Sequence, residues 1–174
     1  MEDITLVMSY FSYLLPAIVV GLIAYYFFKG HTANEEGRRR YLIQKEAQKK
    51  VLPIRLQAYE RLTLLLERID PNKLLLRVKP YSDDLQKYES LLIQNIDNEY
   101  EHNLSQQIYI SEKCWSVIIA AKNATSQIVK KTSEDFTITN AQELRESILK
   151  RMLNNAPPST TALAFIKEEV KNLL

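Results

Sequence analysis

From Ile4 to Phe28 the chain runs ITLVMSYFSYLLPAIVVGLIAYYFF, 25 residues without one charged side chain. As a helix rising 1.5 Å per residue, this run is about 37 Å long, enough to cross a hydrocarbon core of about 30 Å with some tilt. Lipid offers no hydrogen bonds to the backbone, so a single spanning segment must be helical. A cleaved signal peptide would begin with basic residues, have a shorter apolar core and end in small residues. Here the start is acidic (Glu2, Asp3), and Tyr25, Tyr26, Phe27 and Phe28 stand where cleavage would fall. The run therefore reads as a transmembrane anchor over residues 1–29.

Charge sets the orientation. Residues 1–28 carry a net −2, residues 29–50 a net +4, and residues 51–174 are balanced. Lys29, Arg38, Arg39, Arg40, Lys45, Lys49 and Lys50 all follow the span. The positive-inside rule then puts the C-terminal part in the cytoplasm and the short N-terminus outside. Lys29, Arg38, Arg39, Arg40 and Lys45 form the expected membrane-surface contact, with topology their main role and anionic lipid contact incidental. Within the span, Pro16 has no N–H for the carbonyl of Ser12, which predicts a kink. Ala17 and Gly21 form a small-x-x-x-small pair on which another helix could pack closely. Ser12, Pro16, Ala17 and Gly21 are thus the candidate residues for packing in the membrane.

The remaining composition favours helices. Three glycines in 174 residues leave little for a glycine-turned β fold or a phosphate-cradling loop. One cysteine, Cys114, allows no intramolecular disulfide and no cysteine-based zinc site. The balance of charge after residue 50 argues against a nucleic-acid-binding face. The predicted fold is all-α: one transmembrane helix, a basic juxtamembrane segment over 30–50, and a cytoplasmic bundle of four to five helices over 51–174. Within the segment, Gly30 to Gly37 reads as a polar joint.

Inside the bundle region, Val51, Ile54, Ala58, Leu62, Leu65 and Ile69 recur at spacings of three and four, the seam of an amphipathic helix. Pro53 marks a kink or restart, and Asp70-Pro71 ends the helix. Residues 72–80 read as a connection with an extended middle. Helices are expected over 82–103, from Ser111 to about Lys131, from Thr139 (a capping box with Gln142) to before Pro157-Pro158, and to the C-terminus. Phe136, in the linker TSEDFTI, is the expected core plug. Arg55, Arg61 and Arg68 lie off the seam and are the candidate partner interface.

Catalytic chemistry finds no constellation. His31 and His102 are isolated, and no H-E-x-x-H pattern is present. Cys114 has no recognisable base beside it. No cofactor and no metal is expected.

PIRLQAYERLTLLLERIDPNKLLLRV (53–78) and LLIQNIDNEYEHNLSQQIY (91–109) resemble an uncharacterised family of small single-pass inner-membrane proteins from Bacteroidota. The resemblance extends over most of the chain and implies the inner-membrane location. It supplies no activity and no catalytic residue. The expectation is a non-enzymatic accessory or scaffold subunit of an inner-membrane complex, with the membrane and other subunits as partners. The alternative is a self-associating, membrane-tethered adaptor that recruits a soluble protein.

Overall fold

The computed structural model describes the backbone of residues 2–173, and side chains from Tyr13 onward except Ala33, with Met8 and Tyr10 before them. Side-chain expectations for Ser12 lie outside the described residues. The elements are α1 (Glu2–Ile69), α2 (Pro71–Arg77), α3 (Leu85–Glu101), a 3₁₀ turn (Leu104–Tyr109), α4 (Glu112–Ser133), α5 (Ala141–Asn154) and α6 (Pro158–Leu173). Among the described residues there is no strand. The chain divides into two compact units, Met1–Val51 and Leu52–Leu174.

The first unit is helix throughout its described residues. The helix passes through Pro16, Gly30 and Gly37, so the expected polar joint at 30–37 is not a loop. Local pairs support it there: Thr32 donates to the Phe28 carbonyl, and Glu35 and Glu36 pair with Arg38 and Arg40 at 3.4 and 3.7 Å. The helix also continues through Pro53, so of the expected kink or restart there is no restart. A proline forfeits one hydrogen bond, which a helix with intact bonds on either side can absorb.

The second unit is a bundle around one core. From α1 it takes Tyr59, Leu62, Leu65, Leu66 and Ile69, from α3 Tyr88, Leu92 and Ile96, and from α4 Cys114, Ile118, Ala121 and Val129. Leu74 and Leu75 of α2, Leu144, Ile148 and Met152 of α5 and Ala162 and Ile166 of α6 join it. α4 packs against α6, α3 and α5, and α2 against α5. The seam on α1 is buried only from Ala58 onward, while Val51 and Ile54 are about half exposed (49% and 46%).

Residues 71–77 are helix, not extended chain. Pro71 opens α2 at a position where an N–H would be unpaired anyway, and Asp70 caps it by accepting from the Asn72 amide at 3.0 Å. The Ser159 hydroxyl donates to the other oxygen of Asp70 at 2.9 Å, joining this cap to α6. Helix α3 begins at Leu85, because Asp84 is its cap and accepts from Lys87 at 3.0 Å. Ser111 caps α4 as expected, with the Cys114 amide 3.1 Å from its hydroxyl. At α5 the cap is Asn140, one residue later than expected. It accepts from the Glu143 amide at 2.9 Å, while the Glu143 carboxylate takes the Thr139 amide at 2.7 Å.

Phe136 is fully exposed and is not the core plug; Ile138 is. The reason is a turn at Asp135, whose carboxylate accepts from the Thr137 amide and whose carbonyl accepts from Ile138 at 2.9 Å. This tight turn holds Phe136 at its tip and aims Ile138 inward.

Candidate functional site

The three arginines proposed from sequence as one surface behave differently. Arg55 is committed inward: its Nε donates to the Tyr109 carbonyl at 2.9 Å, and a terminal nitrogen lies 3.4 Å from the Tyr59 hydroxyl. Arg68 pairs with Glu99 of α3 at 2.9 Å, and Arg77 of α2 approaches the same Glu99 oxygen at 3.6 Å. Glu99 is well covered (15% side-chain exposure), so this carboxylate clamps three helices together. Arg61 alone of the three has no ion pair or hydrogen bond among the described residues, and it stands on an exposed face with Gln57 and Leu64.

A second partly buried carboxylate joins the top of α4 to α6. Glu169 Oε1 accepts from the Ser111 backbone amide at 3.2 Å. Its Oε2 is buried without a hydrogen bond of ordinary geometry among the described residues, although the Cys114 thiol and the Tyr59 hydroxyl stand close to the carboxylate. Burial by itself pushes this carboxyl up. The contacts from Ser111, Cys114 and Tyr59 together outweigh burial and hold it below the ordinary carboxylate range. The neighbours respond in the opposite sense. Burial, reinforced by Glu169, pushes the Cys114 thiol up to about 12. Burial and Glu169 likewise raise the Tyr59 phenol.

Chemically, this cluster is a structural latch. A nucleophilic cysteine needs a lowered pKa and access, and Cys114 is buried and held protonated. The carboxylate is charged at neutral pH and occupied by a backbone amide. No group of three His, Cys, Asp or Glu residues that could hold a metal occurs among the described residues. His102 rests 2.6 Å from the Asn98 carbonyl one turn back in its own helix.

Sequence reasoning missed both Glu99 and Glu169, yet each has a signal. Leu92, Ile96 and Glu99 share one register on α3, and Ala162, Ile166 and Glu169 share one on α6. A carboxylate in an inward register demands a specific partner. The partners, Arg68 and the Ser111 amide, are 31 and 58 residues away in sequence.

The residues proposed for membrane packing lie on an exposed helix. From Tyr13 to Phe28 the large apolar side chains are 44–80% exposed. A Cβ on Gly21 would meet nothing within 4 Å, so this face is open to close approach by another helix. Lys29 lies over the Tyr25 ring at 5.9 Å, and Lys45 over Tyr41 at 5.9 Å. Among the described residues, α1 is the one helix long and apolar enough to cross a membrane.

Fold and surfaces together define a class: an all-helical chain in which an exposed apolar helix leads into a small bundle cross-linked by two partly buried carboxylates. Residues 5–173 match the model of a family of unknown function (DUF7935), and the chain belongs to that family. No curated protein and no solved structure matches it.

Proposed function

We propose that this protein is a non-enzymatic accessory or scaffold subunit of a bacterial inner-membrane complex, anchored by residues 1–29 with its N-terminus outside and its bundle in the cytoplasm. The observation that carries this reading is the apolar part of α1, none of whose most apolar window is covered by the chain itself. A core helix of that hydropathy would be buried; lipid is the remaining cover for so large an apolar surface. The seven basic residues that follow set the orientation. Lys29 stands at the head groups, and Arg38, Arg39 and Arg40 favour the cytoplasmic side. Arg38 and Arg40 are partly neutralised by Glu35 and Glu36, which suits a topological role better than a lipid-specific one.

The bundle offers docking surface without reactive groups, and Arg61 is its free cation on α1. The span offers Ala17 and Gly21 for a partner helix. Purification of the native protein in gentle detergent should recover a stoichiometric membrane partner. A clean monomer with no such partner would overturn the reading.

The open face at Gly21 also supports a second reading, a self-associating adaptor that tethers a soluble protein. Light scattering on the detergent-solubilised chain distinguishes the two: a dimer of this chain alone favours the adaptor, and a monomer within a hetero-complex favours the subunit.

A further inference from the structure

Beyond the end of the apolar run, α1 carries an exposed amphipathic stretch whose apolar side chains lie outside the bundle core. Between Arg38 and Val51 there are six basic residues and one acid, Glu46. Tyr41, Leu42, Ile43 and Val51 are 63%, 47%, 61% and 49% exposed. At about 100° per residue, Tyr41, Ile43, Gln44, Ala47, Gln48 and Val51 share one half of the helix, which from Tyr41 onward carries no charge. Lys45, Glu46, Lys49 and Lys50 fall on the other half, with Leu42 among them.

The uncharged half has the spacing of a core seam. Ile43, Ala47, Val51, Ile54, Ala58, Leu62, Leu65 and Ile69 follow one another at intervals of 4, 4, 3, 4, 4, 3 and 4. This is an eleven-residue repeat of about 3.67 residues per turn, which stays on one face of a nearly straight helix. From Ala58 onward its members are buried, while Ile43, Ala47 and Val51 are exposed.

Three covers are conceivable, and distance and charge decide among them. Lipid head groups extend roughly 5–8 Å beyond the hydrocarbon, and their field decays over about 8 Å at physiological salt. Measured along the helix from Lys29, Lys45 lies about 24 Å away, and Lys49 and Lys50 about 30 Å away. On a helix that continues along the axis of the span they are out of reach of the bilayer, so lipid does not account for them. A second copy of the chain, held parallel by the same membrane, would set Lys45, Lys49 and Lys50, with Glu46 as the one acid of residues 41–51, against the same set, which is repulsive. An amphipathic helix of another protein with acidic residues flanking its apolar face satisfies both halves at once.

We propose that residues 41–51 of α1 form a docking stripe for an amphipathic, acid-flanked helix of a different protein, with Ile43, Ala47 and Val51 as its apolar anchors and Lys45, Lys49 and Lys50 as its charge selectors. The proposal rests on the accessory-subunit reading and names the chemistry of the partner.

The test uses the full chain in its native membrane. A benzophenone amino acid in place of Ala47 is photoactivated, and the adduct is identified by mass spectrometry. In parallel, the triple variant Lys45→Glu, Lys49→Glu, Lys50→Glu is purified in gentle detergent beside the natural chain, with unfolding followed by Trp115 fluorescence to show that the bundle is intact. The expected result is an adduct with an acid-rich helical segment of another protein, and at least a tenfold loss of that same protein from the triple variant. An adduct with lipid, an adduct with a second copy, no adduct, or retention of the partner within twofold by the triple variant would each overturn the stripe. If the natural chain keeps a stoichiometric partner while the stripe fails, the accessory reading stands alone. If the natural chain has no partner, both fall.

Discussion

Replacing Leu62 with alanine probes whether the seam on α1 is core or surface. Leu62 is fully buried (0% exposed) among residues contributed by several helices. Truncation removes three carbons from a packed site and leaves a cavity, and such changes cost about 2–5 kcal/mol, with about 3 expected here. With a urea dependence near 2 kcal/mol per molar, the unfolding midpoint should fall by about 1.5 M. Trp115 is the single tryptophan, and its ring stacks on Tyr100 of α3 with 5.4 Å between centroids. Its fluorescence therefore reports loss of the α3–α4 interface and is blind to the span. The control is Val51→Ala, on the same stripe but half exposed, for which a change within about 0.5 kcal/mol is expected. A Leu62→Ala midpoint within about 0.3 M of the natural chain would refute the packing argument, and so would a Val51→Ala loss of equal size.

Three further outcomes follow from the polar contacts and turns. Arg68→Ala should destabilise the bundle by about 1 kcal/mol, because Glu99 is well covered and loses its nearer partner, whereas Arg61→Ala should be neutral in the same urea assay; equal effects would refute the clamp. Because the folded carboxyl of Glu169 titrates below its unfolded value, the stability it contributes is present above the unfolded pKa and is lost as pH falls through the folded one. Glu169→Gln should therefore flatten the decline in stability below about pH 5, and an unchanged slope in unfolding curves across that range would sink this assignment. Ile138→Ala should cost about 2–3 kcal/mol and Phe136→Ala almost nothing, a contrast that thermal unfolding followed by circular dichroism can check, with the reverse order disproving the turn geometry.

Several features were legible because their causes are local. The uncharged run, the 3-and-4 spacing of Leu62, Leu65 and Ile69, and the cap at Ser111 each depend on residues within one or two turns. Errors arose where local cues were nearly degenerate. Asp70-Pro71 stops one helix but also opens the next, since a proline is as well suited to a first turn as to a break. Thr139 and Asn140 are both good caps, and only the reach of the Glu143 carboxylate separates them. Phe136 and Ile138 are both apolar, and their fates depend on a turn set by Asp135. The candidate surface was less legible than the fold: the sequence could class Arg55, Arg61 and Arg68 together because it showed none of their partners.

By itself, then, the sequence determined that the chain is helical, that one stretch is apolar and long enough to cross a membrane, and that cations gather on one side of it. These follow from hydropathy, periodicity and charge, which are properties of neighbouring residues. Only the tertiary structure decided that the seam changes from surface to core between Ile54 and Ala58, that Glu99 and Glu169 are latches, and that Arg61 is free while Arg55 and Arg68 are not. Those facts depend on which surfaces meet across tens of residues of intervening chain. A helix fixes the face on which a side chain stands, and only packing fixes what that face touches.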